Sequence, residues 1–244
     1  MVNRRNRLQV LASVPVLLVA VWAGAVFAAP AAPSKPLSGK VVCIDPGHPS
    51  ENGNGSKGPA GSKEYVINWK VALKLKEYLR QAGAKVVLTK SKEGESVKNR
   101  RRAEIANAAK ANLMIRLHCD SGSASGFAVY YPDRKGTVQG VTGPTPSVIS
   151  SSAKAAKAIY PAMQAALKGS LKGRGVQGDS KTAIGGRQGA LTGSIFSKVP
   201  IVTVEMVVLG NRSDEKFISA DAGQKKMAAA LKAGIVAYLG KGTG

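Results

Sequence analysis

Histidine and cysteine are scarce in this chain, with two of each among 244 residues. Two cysteines exclude a disulfide scaffold or a cysteine-rich zinc module, and any histidine-based metal site must use both histidines. Acidic residues are also few: 14 Asp+Glu stand against 36 Lys+Arg, a formal charge of +22. Aromatics make up only 5%, and no stripe of basic residues alternates with Phe or Tyr, so the mark of a single-strand nucleic-acid binder is missing. What the chain does have is 44% hydrophobic residues, enough to bury one sizeable core; disorder and a multidomain enzyme are both disfavoured.

The longest uncharged run lies at the N-terminus. Arg4, Arg5 and Arg7 precede residues 8–34, none of which is ionisable, and small residues Val26 and Ala28 stand before Ala29-Pro30. Basic start, apolar middle and small-residue end make residues 1–28 a secretory signal cleaved after Ala28. The competing reading is an uncleaved anchor, because residues 8–29 at ~1.5 Å each would cross a ~30 Å hydrocarbon core. Either way the rest is exported, to the periplasm, cell wall or extracellular space, and the membrane is met only through this segment.

Residues 29–39, rich in Ala, Pro and Ser, read as a linker, and residues 40–240 as one domain. Removing the three arginines leaves +19 on residues 29–244, in a place without chromosomal DNA. Anionic envelope polymers, and not nucleic acid, are therefore the expected partners of the basic surface. Export permits disulfides, but Cys43 and Cys119 each sit in an apolar strand-like run, where a small buried thiol is the simpler reading.

From residue 40 the pattern alternates. Strands are expected at 40–45, 85–89, 113–118, 126–131 and 200–209, and helices at 64–81, 96–111, 147–167 and 222–239. Ile67, Val71, Leu75 and Tyr78 keep helical spacing in the first helix, and Gly83 stands beyond it as a terminator. This order argues an α/β fold, a single layered domain with a mostly parallel central sheet flanked by helices.

Both histidines fall where such a strand opens into a loop: His48 follows KVVCIDPG, and His118 follows LMIRL. Ligands gather at those carboxyl ends. Hydrolytic zinc takes about three N, S or O ligands, so two histidines need a carboxylate. Glu64 is the candidate, since the Gly/Ser-rich stretch 49–62 can fold to bring it near His48, although a first-turn acid also suits the helix macrodipole. Glu205 interrupts the apolar run IVTVEMVVL, where an unpaired charge is costly unless it serves a site. Desolvation there would raise its pKa and fit it to act as a base; the alternative is an edge-strand Glu facing solvent.

Taken together, Asp45-Pro46-Gly47-His48, Glu64 with Asn68 four residues on, Leu117-His118-Cys119-Asp120, Gly126-Phe127, Arg174-Gly175-Val176 and Pro200 through Val204-Glu205 to Leu209-Gly210-Asn211 resemble the zinc-dependent N-acetylmuramoyl-L-alanine amidases. The resemblance covers residues 40–239 in order. It implies a single α/β catalytic domain, one Zn²⁺ held by His48, Glu64 and His118, Glu205 as the catalytic carboxylate, and peptidoglycan as substrate for a monomer. Pro49, Lys63-Glu64-Tyr65 and Val207 depart from the family pattern and bear on the groove more than on the metal site. The bond at stake joins the lactyl group of N-acetylmuramic acid to L-alanine; a non-catalytic wall binder and a zinc peptidase acting within the stem peptide are the alternatives.

Two further expectations concern the surroundings. Asp45 or Asp120 would orient a ligating imidazole or cap a turn. Some members of the family are held off by an inserted helix, but residues 132–147 and the glycine-rich residues 169–199 are poor in acids and helix formers, so they read as loops and the domain as active without an activator.

Overall fold

The computed structural model describes residues 35–240, together with Met1. The expected signal and most of the linker lie outside the described residues. Among those described, no helix is long and apolar enough to cross a membrane.

In chain order the elements are β1 (Val41–Pro46), α1 (Glu64–Gln81), β2 (Lys85–Leu88), α2 (Asn99–Ala108), β3 (Leu113–Asp120), β4 (Phe127–Tyr131), β5 (Gly136–Val138), β6 (Val141–Gly143), α3 (Pro146–Ala166), β7 (Gly173–Gly178), a 3-10 turn (Asp179–Lys181), α4 (Ala183–Gln188), α5 (Thr192–Ile195), β8 (Ile201–Val208), α6 (Arg212–Ser219) and α7 (Asp221–Leu239). Six strands form one sheet in the order β2-β1-β3-β8-β4-β7. Every pairing in it is parallel except that of β4 with β8. The α/β layered fold expected from the alternation is thus present, with helices on both sides.

Local sequence explains the elements that carry the site. In α1, Ile67, Val71, Leu75 and Leu79 recur at helical spacing and are buried. The helix ends at Ala82, and Gly83 follows with φ +95°, the left-handed terminator that glycine adopts without steric cost. Strands β3 and β8 alternate with period two. Leu113, Ile115 and Leu117 of β3, with Val202 and Val204 of β8, enter the large core made with Val71 and Leu75 of α1, Ile159 and Met163 of α3, and Leu231 and Ile235 of α7. Each such side chain contributes about 1.5–3 kcal/mol by leaving water.

On the opposite face, Cys43, Met114 and Ile201 pack with Ala106 of α2 and Val148 of α3 in a smaller cluster at the strand beginnings. Apolar cover stops there. The next residues on that face, Arg116 and His118 on β3 and Thr203 and Glu205 on β8, line an open cleft of about 500 Å³.

Residues 169–199 depart from expectation. They form β7, the 3-10 turn, α4 and α5, and Lys181, Thr182, Ile184, Leu191 and Thr192 make a wall of the cleft. Glycine here serves close approach: a Cβ on Gly185 would run into the carbonyl oxygen of Asp179. Residues 132–147, in contrast, contain no inserted helix; β5 and β6 pair there as a small hairpin that leads into α3.

Candidate active site

The turn after β1 is gripped through four consecutive carbonyl oxygens. Arg102 Nη1 donates to Pro46 O at 2.7 Å, Asn68 Nδ2 to Gly47 O at 3.2 Å, Lys90 Nζ to His48 O at 2.6 Å, and Arg102 Nη2 to Pro49 O at 2.7 Å. His48 has φ +55°, an unfavourable backbone region for a residue with a Cβ, and this grip holds it there. The donors come from α1, from the end of β2 and from α2. Burial, aided by the Arg102 charge, pulls the Lys90 ammonium down to about 8.

Three ligand-type side chains meet beside this turn. His48, Glu64 and His118 each offer a donor atom, and these atoms lie within 4.8 Å of one another. Glu64 Oε1 is 3.7 Å from His48 Nε2 and 3.1 Å from His118 Nδ1. Donor atoms ~2.0–2.1 Å from one tetrahedral centre stand about 3.3–3.4 Å apart, so the separations bracket what a small cation needs. His48 Nδ1 lies 2.9 Å from Gly53 O, a contact that places its proton on Nδ1 and leaves Nε2 a free lone pair. His118 Nε2 is buried without a hydrogen-bond partner. The set of two imidazoles and one carboxylate is that of a hydrolytic zinc site.

Glu64 is kept ionised for this place. Burial pushes its carboxyl up, but the hydrogen bond and charge of His118, the charge of His48 and the Ser56 amide outweigh burial and hold it near 2. Ser56 N–H donates to its Oε2 at 2.6 Å, and Cys119 N–H to its Oε1 at 3.1 Å. The stretch 49–62 is also pinned at its far end, where Ala60 N–H and Ser62 N–H donate to the Glu215 carboxylate of α6.

Glu205 sits opposite His118 in the β3–β8 register. Its Oε2 is buried and has no hydrogen-bond partner. Burial first, and then the negative charges of Glu64 and Asp120, push its carboxyl well above the usual range, in the direction expected of a proton-transfer group. Glu205 therefore lies on the cleft-facing side of an interior strand, and the edge-strand alternative is excluded.

Of the two roles open to Asp45 and Asp120, orienting an imidazole or capping a turn, Asp120 takes the second and Asp45 neither. Asp45 is fully buried between Arg102 (2.6 Å) and Arg116 (2.8 Å) and also accepts from Thr89, so the guanidinium charges hold its carboxyl below the usual range despite burial. Asp120 accepts from Arg174 at 2.9 Å and caps Ser121 N–H. Neither contacts a histidine: the proximity of both to the histidines in sequence is along the chain and not across the site. Cys43 and Cys119 are free buried thiols, which burial pushes far above their ordinary pKa.

Arg116, Arg102, Asn99, Thr203 and Tyr130 were not singled out by the sequence reading. Arg116 carried a signal, since it interrupts LMIRLH as Glu205 interrupts IVTVEMVV. Arg102 lies in a basic helical stretch, NRRRAE, where nothing distinguishes the buried arginine from its exposed neighbours.

Comparison with known proteins agrees with this geometry. Residues 42–237 match the Amidase_3 family, described as N-acetylmuramoyl-L-alanine amidase. The chain is 26% identical over 251 residues to N-acetylmuramoyl-L-alanine amidase Rv3717 of Mycobacterium tuberculosis, covering 91% of this chain and 95% of that one. Among solved structures, the apo form of the amidase Ami1 from Mycobacterium abscessus superimposes with TM-score 0.70 at 24% identity, over 83% of this chain and 100% of that chain. The amidase AmiC2 of Nostoc punctiforme does so with TM-score 0.66 at 23% identity, over 84% and 98%. The structural likenesses establish the shared fold, and the family match extends from β1 into α7, across every residue that lines the cleft: the chain belongs to the N-acetylmuramoyl-L-alanine amidases, hydrolases of peptidoglycan.

Proposed function

We propose that this chain cleaves the amide between the lactyl group of N-acetylmuramic acid and the L-alanine of the stem peptide, with one zinc ion held by His48, Glu64 and His118 and with Glu205 as the proton-transfer group. The observation that carries the reading is the convergence of donor atoms of His48, Glu64 and His118 within 4.8 Å of one another, beside Glu205, which sits opposite His118 in register, faces the same cleft and has a buried, unpartnered Oε2.

An amide is a poor electrophile with a poor leaving group. Bound zinc supplies a Lewis acid that polarises the carbonyl and makes water a better nucleophile at neutral pH. Glu205 takes a proton from the attacking water and delivers it to the departing nitrogen, a role that a carboxyl with an elevated pKa performs well. Glu64 stays anionic, and its Oε1, 3.7 Å from His48 Nε2 and 3.1 Å from His118 Nδ1, faces the same point as the two imidazoles. The grip of Arg102, Asn68 and Lys90 on the turn keeps His48 aimed at the same point.

Residues 1–28 would direct export and be removed, and the +19 of residues 29–244 would hold the enzyme on anionic wall polymers. Purified residues 29–244, incubated with sacculi, test the reading. Equal release of muramoyl carboxyl groups and of L-alanine amino termini is expected. Binding without cleavage would indicate a wall-binding protein, and new termini within the stem would indicate a peptidase; either overturns it.

A further inference from the structure

Below the row that holds His118 and Glu205, the sheet carries a second polar row that the hydrolysis does not use. Strand pairing aligns Asp45, Arg116, Thr203 and Tyr130 across β1, β3, β8 and β4. This row is two residues from the first along β3 and β8, a step of about 6.5 Å on the same face of the sheet.

One carboxylate, Asp45, is shared by two buried guanidiniums, Arg102 and Arg116. Arg102 is fully buried and spent, with Nε on Val97 O, Nη1 on Asp45 Oδ1 and Pro46 O, and Nη2 on Pro49 O. Arg116 places Nε on Asp45 Oδ2 and Nη2 on Asn99 Oδ1, and its Nη1 makes no hydrogen bond among the described residues. Arg116 lines the cleft. Thr203, 3% exposed and beside Arg116 in register, also lines the cleft, and its Oγ1 has no partner. The backbone of α5 leaves the guanidinium room because residue 193 is glycine: a Cβ there would stand 3.0 Å from Arg116 Cζ and Nη1. Asp179, the other buried acid within reach of the Arg116 charge, makes no hydrogen bond to Arg116 and accepts instead from Leu191 N–H just before α5. A second cation, Lys181, stands exposed on the wall of the cleft.

A buried guanidinium with a spare donor next to an unpaired hydroxyl is built for an anion, and a carboxylate satisfies both at once. We propose that Arg116 and Thr203, with Lys181 at the rim, form a subsite for a carboxylate of the substrate, namely the α-carboxylate of the second stem-peptide residue. That residue is joined onward through its side-chain carboxyl, so its α-carboxylate is free unless the wall is amidated. An extended chain advances about 3.3–3.6 Å per residue, which puts this group about 7 Å from the scissile nitrogen, the spacing between the two rows. The proposal rests on the amidase reading and makes the cleft selective for non-amidated stems.

Two soluble muramoyl tripeptides, alike except that the second-residue α-carboxyl is free in one and amidated in the other, provide the test with zinc-loaded enzyme. Wild type should favour the free acid in kcat/KM by about 10–100-fold, the worth of a charge-assisted hydrogen bond. The metal-free protein should show the same preference in calorimetric binding of the two released peptides. Arg116→Met should bring the ratio close to one. Lys181→Met, at an exposed position safe for folding, should lower the ratio by about 2–5-fold. A purely structural Arg116 would slow both substrates alike and leave the ratio intact. Equal wild-type rates on the two substrates, or preference for the amide, would overturn the subsite and leave the amidase reading standing. Cleavage of neither would instead sink the amidase reading itself, and if Arg116→Met does not fold, the wild-type ratio and Lys181→Met still decide.

Discussion

The two faces of the central sheet are made by the same strands and do opposite work. On β3, Leu113, Ile115 and Leu117 enter the large core under α1, α3 and α7, while Met114, Arg116 and His118 point the other way, where Met114 joins the smaller apolar cluster and the other two line the cleft. On β8, Val202 and Val204 are core, and Thr203 and Glu205 face the cleft. Period-two alternation lets one short strand hold the fold on one side and the site on the other. A site residue then inherits the rigidity of the core two bonds away. Cleft-side polar atoms left unpartnered, His118 Nε2, Thr203 Oγ1 and Glu205 Oε2, have no counterpart on the apolar face among the described residues.

Substitutions on each face should therefore separate chemistry from stability. The largest effect belongs to the metal group: His48→Ala or His118→Ala should abolish both bound zinc and turnover, since two protein ligands do not make a closed site. Elemental analysis checks this, and full zinc occupancy in the doubly substituted protein would refute the ligand assignment. On the core face, Ile115→Ala should cost about 2–5 kcal/mol in urea unfolding while leaving the zinc stoichiometry of the folded protein unchanged. One residue over on the cleft face, Thr203→Val should alter stability by less than about 1 kcal/mol, because the hydroxyl it removes is bonded to nothing. Equal costs for the two would erase the contrast between the faces.

A pH-dependent effect concerns Asp179, behind the cleft wall. Burial raises its carboxyl to about 6, against the hydrogen bonds of Ser194 and Leu191 and the charge of Arg116, and Asp133 adds to the rise. The native state thus binds this proton more tightly than the unfolded chain. Its contribution is fully present below the ordinary carboxylate pKa, near 4, and is lost as pH rises through 6. Asp179→Asn should remove that part of the slope, gaining about 1–3 kcal/mol relative to wild type between pH 4.5 and 7 in paired urea titrations. Parallel pH profiles for the two proteins would show that Asp179 titrates normally.

Much of this was legible in the sequence, for reasons that particular residues make plain. The first helix was read at 64–81, as found, because Ile67, Val71 and Leu75 repeat at its period and Gly83 marks its end. The strands that carry the site were legible because parallel strands buried on both faces are continuous apolar runs, and Glu205 stood out as a break in one. By contrast, β7 has the sequence GRGVQG and α4 the sequence AIGGRQ, which offer neither alternation nor helical spacing. They are ordered by contacts from elsewhere in the chain, so a glycine-rich stretch read as a mobile loop is a wall of the cleft. The role of Asp45 was not legible for a related cause: its partners Arg102 and Arg116 lie 57 and 71 residues away and are invisible to local pattern.

On the proposed function, the cleft face performs the chemistry through Glu205 beside a zinc group that does not depend on it. Glu205→Gln tests this most directly, with zinc content, unfolding free energy and release of L-alanine amino termini from sacculi measured on the same preparation. One zinc per chain is expected, with stability no lower than wild type, because a neutral amide suits the buried site, and with turnover reduced by about 10²–10⁴-fold. Near-wild-type turnover at neutral pH, or loss of zinc along with activity, would contradict it.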